Sequence, residues 1–215
     1  QINMTMSSGV RSYYEEVSYN QTVIVSTIIP KNYTMPKSEY DYGLDSGTNE
    51  PNVEKLVEDA LTAAKSDVDS LGNYSIFKHI VVVHSGDDEA MPPNDPAAIT
   101  SQFIYREGGA LFTIGGVKIM NACVVSDKDP LGVIVHELGH SMGLPDLYDY
   151  SIAPQGHGDD FVGPWDLMAE GSWNPRPYGT SPSHQTTWGK IKLGWITPSK
   201  IVNINQSSIQ SGHNV

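Results

Sequence analysis

Three residues of this chain have the types and spacing of a metal-centred hydrolytic site: His136, Glu137 and His140, in His-Glu-Leu-Gly-His. Residues four apart on a helix share one face, with Cβ atoms about 5–6 Å apart. Two imidazoles so placed can reach one zinc ion at about 2.0–2.1 Å. Glu137 is one residue on, about 100° around the helix. There it can flank a metal and hold a water molecule without ligating the ion. The five-residue pattern is short, and its setting sharpens it. Both histidines and the glutamate stand in an otherwise apolar segment, where burying them is costly unless something binds them.

A catalytic zinc needs a third protein ligand and an open position. Gly143 lets the chain reverse sharply below the metal, and Asp146 follows three residues later. The result, His-Glu-x-x-His-x-x-Gly-x-x-Asp, resembles the metzincin pattern, whose last position is usually His. A carboxylate oxygen is an acceptable zinc ligand. Asp149, His157, Glu170 and His184 compete for the place, and Glu170 would give the arrangement of thermolysin-like enzymes. Gly143 favours Asp146, whose alternative role is to cap the turn after Pro145.

The helix that carries the histidines is the best defined element in the sequence. Asp129 is a suitable N-cap and Pro130 a suitable first residue. Leu131, Val133, Ile134, Val135, Leu138 and Met142 wrap most of its circumference, so it should be central and buried. Gly143 is placed to end it. Upstream, residues 11–19 read as a short helix, and Gln21–Ile29, β-branched throughout, reads as a strand. Apolar residues from Val53 to Val68 recur at helical spacing, and Ile80–Val83 reads as a buried strand. Ser85–Gly109 is polar and proline-rich and reads as a long loop. Gly115-Gly116 between two β-rich runs predicts a tight hairpin, with Ala122–Val125 extending it. A last helix is expected from about Ser183 to Leu193. The order of elements implies an α/β (α+β) fold with a mixed sheet and a helix packed on one face.

The chain has 215 residues, and its 25 acidic residues against 13 basic ones give a net charge of −12. That length suits one domain with its own core. Its acidity disfavours nucleic acid and anionic membranes. No apolar run is long enough to span a bilayer. The acidity suits bound calcium: Asp87, Asp88, Glu89 and Asp95 form one cluster and Asp149, Asp159 and Asp160 another, though neither matches an EF-hand loop. Solvated loop carboxylates explain them equally well. The lone Cys123 reads as a small buried hydrophobe. His79, His84 and His213 read as structural or surface residues. Asn-x-Ser/Thr at Asn3, Asn20, Asn32, Asn73 and Asn205 would accept N-glycans in an exported protein.

His-Glu-Leu-Gly-His-Ser-Met-Gly-Leu-Pro-Asp-Leu-Tyr-Asp at 136–149 resembles the zinc segment of the M6 peptidases, the immune inhibitor A family. Tyr13-Tyr14-Glu-Glu-Val-Ser-Tyr19 resembles the start of that family's catalytic domain. Gly163–Trp173, Trp188 and Leu193-Gly194-Trp195 resemble its later segments. The resemblance implies a metzincin-like zincin fold, with a twisted sheet, a central active-site helix and a smaller C-terminal subdomain. On that reading 1–215 is a single catalytic domain, with 1–142 carrying the sheet and the site helix and 143–215 forming the irregular subdomain. The resemblance also implies secreted enzymes made as precursors, often with structural calcium. It gives Met168 the place of the methionine floor beneath the zinc. Several metzincins carry Tyr two residues after that methionine; here the residue is Glu170, which leaves Tyr178 and His184 as candidates for stabilising the oxyanion.

The expected activity is that of a secreted, monomeric zinc endopeptidase acting on protein or peptide substrates. Zinc lowers the pKa of its water, Glu137 takes the proton, and the water attacks the scissile carbonyl. The 110–125 hairpin is the candidate edge for pairing with an extended substrate. A non-catalytic zinc-binding relative would be expected to lack Glu137. A zinc hydrolase acting on another substrate fits the same spacing.

Overall fold

The computed structural model describes residues 8–43, 52–92, 95–148, 162–175, 178–197 and residue 199. Asp149, His157, Asp159, Asp160, His213, Asn3 and Asn205 lie outside them. The elements in chain order are α1 (Val10–Val17), α2 (Glu39–Gly43), α3 (Val53–Ala63), α4 (Lys65–Asp69), β1 (Val81–His84), β2 (Gln102–Tyr105), β3 (Phe112–Ile114), β4 (Val117–Ile119), β5 (Asn121–Ser126), α5 (Leu131–Ser141) and α6 (Thr187–Lys192). Short 3₁₀ turns at Gly163–Trp165 and Glu170–Trp173 join α5 to α6.

The site helix is held by a small mixed sheet in the order β1-β5-β2. β5 runs parallel to β1, with Val81 opposite Cys123 and His84 opposite Ser126. β2 runs antiparallel along the other side of β5, with Gln102 opposite Val124 and Tyr105 opposite Asn121. Side chains alternate across a strand, and β5 uses both faces. Cys123 and Val125 join a core with Ile134, Val135, Leu138, Leu167, Met168 and residues of α1. Ala122 and Val124 join a second core with Leu56, Val57 and Leu61 of α3 and Ile114 of the hairpin. The sheet is therefore the middle of three layers, with α5 and α1 on one face.

Four expectations need correction. Gln21–Ile29 forms no ladder with the described residues; it is extended chain with Val23, Val25 and Ile28 exposed. β-branched residues favour a pleated surface only where a neighbouring strand completes it. The span Ser85–Gly109 is not one loop, because Gln102–Tyr105 inside it is the edge strand β2. Its four residues are too few for alternation to announce them. β5 does not extend the β3–β4 hairpin but crosses into the main sheet. Asp129 is not the N-cap: Pro130 holds that position, and the Asp129 carboxylate accepts instead from Ser126 N at 2.7 Å and Ser101 Oγ at 2.6 Å.

Other elements stand near the expected places. The predicted helix over Val53–Val68 is broken at Ala64 into α3 and α4. Gly115 and Gly116 both take positive φ, 53° and 81°, as a two-residue hairpin turn requires.

Candidate metal centre

All residues of α5 from Gly132 to Glu137, and Leu138 and Gly139 after them, are buried. Three contacts fix the helix. The Tyr14 hydroxyl, from α1, donates to Val135 O at 2.7 Å. The Cys123 thiol donates to Glu137 O at 3.2 Å, which accounts for this cysteine as a buried structural residue. Gly132 N donates to Gly179 O at 2.8 Å, and the Ser172 carbonyl leaves no room for a Cβ at Gly132.

After Ser141 the helix stops as the sequence predicts. Gly143 takes φ +98°, a conformation that favours glycine, and Leu144 N returns to Gly139 O at 3.0 Å. This reversal brings Asp146 back to the histidines. Its Oδ1 lies 3.1 Å from His136 Nε2 and 3.2 Å from His140 Nε2, and the two Nε2 atoms are 3.1 Å apart. A tetrahedral metal with bonds of about 2.0–2.1 Å has ligand–ligand edges of about 3.3 Å. The three atoms thus have the spacing of three corners of such a sphere.

The orientation of the rings supports the same fit. His136 Nδ1 lies 2.9 Å from Leu167 O, and His140 Nδ1 lies 2.8 Å from Leu144 O. A carbonyl can only accept, so each Nδ1 carries a proton and each Nε2 is turned inward, free to meet a metal or a second proton. Metal-ligating histidines are commonly fixed in this way. Two inward lone pairs at 3.1 Å repel unless a cation or a proton lies between them. Among the described residues His136, His140 and Asp146 are the one group of three side chains disposed to hold a metal ion.

The electrostatics follow from this geometry. Burial lowers the His136 pKa, but the Asp146 hydrogen bond and the charges of Glu137 and Asp146 outweigh it and raise it to about 9. Burial raises the Asp146 pKa, but the two histidines hold it well below the usual carboxylate range. Burial pushes Glu137 up to about 7, against the lowering influence of His136 and His140. That value suits a group that must take and give a proton near neutral pH. Among the described residues nothing donates a hydrogen bond to the Glu137 carboxylate.

Met168 is fully buried, and its Sδ packs against Gly139, the residue before His140. Its backbone is pinned by Asp166 Oδ1 on the N–H, at 2.7 Å, and by Leu147 N on the carbonyl, at 2.8 Å. Glu170 stands in the 3₁₀ turn beyond it, outside the metal-capable group. His184 faces Glu16 at 3.1 Å and Lys190 at 3.3 Å. Tyr178 is exposed. Three neighbours were not legible as site residues: Phe103, whose ring stacks on His140 with centroids 6.0 Å apart, His79, which meets Ser141 Oγ at 2.7 Å, and Tyr14. Phe103 lies in a stretch that reads as loop, His79 reads as a structural or surface residue, and Tyr14 enters only through the family resemblance.

Residues 105–196 match the family described as Immune inhibitor A peptidase M6, catalytic domain. That segment contains the whole of the metal-capable group. Over that segment the chain is similar to the M6 peptidases. Immune inhibitor A of Bacillus thuringiensis subsp. alesti is 27% identical over 208 residues, covering 80% of this chain and 30% of that protein. Pre-pro-metalloprotease PrtV of Vibrio cholerae serotype O1 (strain M66-2) is 28% identical over 234 residues, covering 94% of this chain and 25% of that protein. The chain thus spans under a third of the length of these relatives. Its mixed α/β architecture is compatible with a metallopeptidase domain of that family.

The acidic loops have protein partners. Asp87 pairs with Lys128 at 2.6 Å, and Asp95 Oδ1 accepts from Ala97 N at 2.9 Å. Glu89 accepts from the Thr100 hydroxyl. No calcium site is assigned to them. No helix among the described residues is long and apolar enough to cross a membrane. Asn20, Asn32 and Asn73 are exposed.

Proposed function

We propose that this chain is the catalytic domain of a secreted zinc endopeptidase with a metzincin-like site, in which His136, His140 and Asp146 hold the metal and Glu137 is the general base. The observation that carries this reading is the triangle of His136 Nε2, His140 Nε2 and Asp146 Oδ1, with sides of 3.1 to 3.2 Å and both Nδ1 atoms tied to backbone carbonyls. A zinc ion bound there supplies Lewis acidity, which acidifies water and polarises the scissile carbonyl. Glu137 takes the proton of the attacking water and passes it to the departing amine. Its burial keeps its proton affinity near neutrality, so it can do both. Asp146 and the two histidines stay fixed through the cycle, because Leu167 O, Leu144 O and the turn at Gly143 orient them. Met168 serves as the apolar floor that keeps the Gly139 face of α5 in place.

The substrate edge in this reading is β2, not the hairpin over 110–125. β2 is an outer strand of the site's own sheet, and its Phe103 stacks on His140. An extended peptide pairing with that edge would run beside the metal. Residues 1–215 act as one catalytic domain, as a monomer, and the exposed asparagines are sites for N-glycans where the host adds them. Casein digestion tests the reading: the purified protein should cleave casein, lose that activity to a zinc chelator and regain it with added zinc. Cleavage unaffected by complete removal of metal would end it.

A further inference from the structure

Away from the metal, two carboxyl groups are buried against each other. Asp88 follows β1 and Asp129 precedes α5; they are 2% and 8% exposed, and their side chains are within hydrogen-bonding reach of each other. Asp88 Oδ1 accepts from Ala90 N at 3.0 Å and Ser101 N at 3.2 Å. Asp129 Oδ2 accepts from Ser126 N and Ser101 Oγ. Asp129 Oδ1 is buried and receives no N–H or O–H bond. Two ionised carboxylates cannot share such a place without a counter-charge. Among the described residues no cationic side chain pairs with either one.

The surrounding groups do not supply that charge. Lys128 is spent on Asp87, at the surface. His84, at the end of β1, is pushed toward the neutral form by burial, which outweighs the Ser85 carbonyl and the acids Glu39, Asp88 and Asp127 acting the other way. Glu89 faces Thr100. From α5 the group that feels Asp88 is Glu137, also an acid. A metal ion is poorly served, since calcium takes about 6–8 oxygens and one oxygen of each aspartate is already engaged by backbone N–H.

We propose that Asp88 and Asp129 share one proton, in an acid–carboxylate hydrogen bond through Asp129 Oδ1, and that this bond is a pH-sensitive latch at the start of α5. Through Ser101 and Ser126 the pair ties the entrance of β2 and the exit of β5 to the head of the helix that carries His136 and His140. Losing the proton puts two like charges in contact and loosens that junction. Burial first, and then the Asp88 charge, push the acidity of Asp129 up to about 7. The folded chain therefore binds this proton more tightly than the unfolded one. The stabilisation is complete below the ordinary carboxylate range and is lost as the pH climbs through about 7.

Asp129→Asn mimics the protonated state, since its amide can donate to Asp88 while its oxygen still accepts from Ser101 and Ser126. Melting temperatures of zinc-loaded wild type and D129N should be compared from pH 5 to 8.5. The variant should gain on wild type by about 3 °C or more across that range. A difference independent of pH overturns the proposal; contributions from the metal centre are common to both proteins and cancel. Calcium that raises the melting point of wild type but not of D129N, where magnesium does not, would instead make the pair a cation site and also overturn it. Should D129N fail to fold, D88N is read in the same way. Carbon-detected NMR of the wild-type aspartate carboxyls gives an independent answer: one coupled pair should keep its proton to about pH 7, and full ionisation of every aspartate at pH 5.5 contradicts the latch.

Discussion

The sulfur of Met168 stands 2.7 Å from the point that a Cβ on Gly139, the residue before His140, would occupy. The two residues form a matched contact. Any side chain at 139 must push the methionine away or lift the helix, and the methionine is fully buried. Gly139→Ala should therefore cost about 1–3 kcal/mol through overpacking. Met168→Ala alone should cost about 2–5 kcal/mol through the cavity left behind. The double variant should lose clearly less than the sum, because the alanine methyl fills part of that cavity. Denaturant melts of the four proteins measure the coupling, and strict additivity would show that the contact is not the one described.

Glu137→Gln should fold, hold zinc and lose peptidase activity by about 10²–10⁴-fold. The amide keeps the size and burial of the side chain but cannot accept the proton. Casein cleavage and zinc content, measured on the same preparation, separate this role from a structural one. A variant with more than half the wild-type rate removes Glu137 from the mechanism.

Much of the centre was legible in the sequence because its geometry is local. His136, Glu137 and His140 lie within about one helical turn of one another, and Gly143 with Asp146 sits in the turn directly after it, so helix geometry and one left-handed glycine relate them. Met168 came only through resemblance to a known family, since its contact with Gly139 is set by tertiary packing. β2 and Phe103 were hidden because a four-residue edge strand inside a polar stretch has too little periodicity to announce itself. Asp129 looked like a helix cap from its type and place. The fold uses it against Ser101 and Ser126 instead, partners that belong to the ends of other strands and that no local pattern reveals.

Zinc uptake should depend on pH in a direction fixed by His136. Without metal its imidazole is raised to about 9, so its proton stabilises the metal-free fold fully below the ordinary histidine range, and that contribution is lost as the pH rises to about 9. Zinc must displace the proton. Apparent zinc affinity should then climb by about tenfold per pH unit between pH 6 and 8, one proton leaving per metal bound. Competition with a chromophoric chelator measures the slope, and a flat profile would mean that His136 holds no proton there.

The central claim is that Asp146, and not Glu170, completes the metal centre with His136 and His140. Its most direct measurement is the zinc content of Asp146→Ala and Glu170→Ala after dialysis against a weak chelator. Asp146→Ala should fall well below one zinc per chain, while Glu170→Ala should stay near one, as the triangle of donor atoms and the place of Glu170 in the turn beyond Met168 require. Loss of metal from Glu170→Ala with retention in Asp146→Ala would contradict both the ligand assignment and the metzincin-like reading of the site.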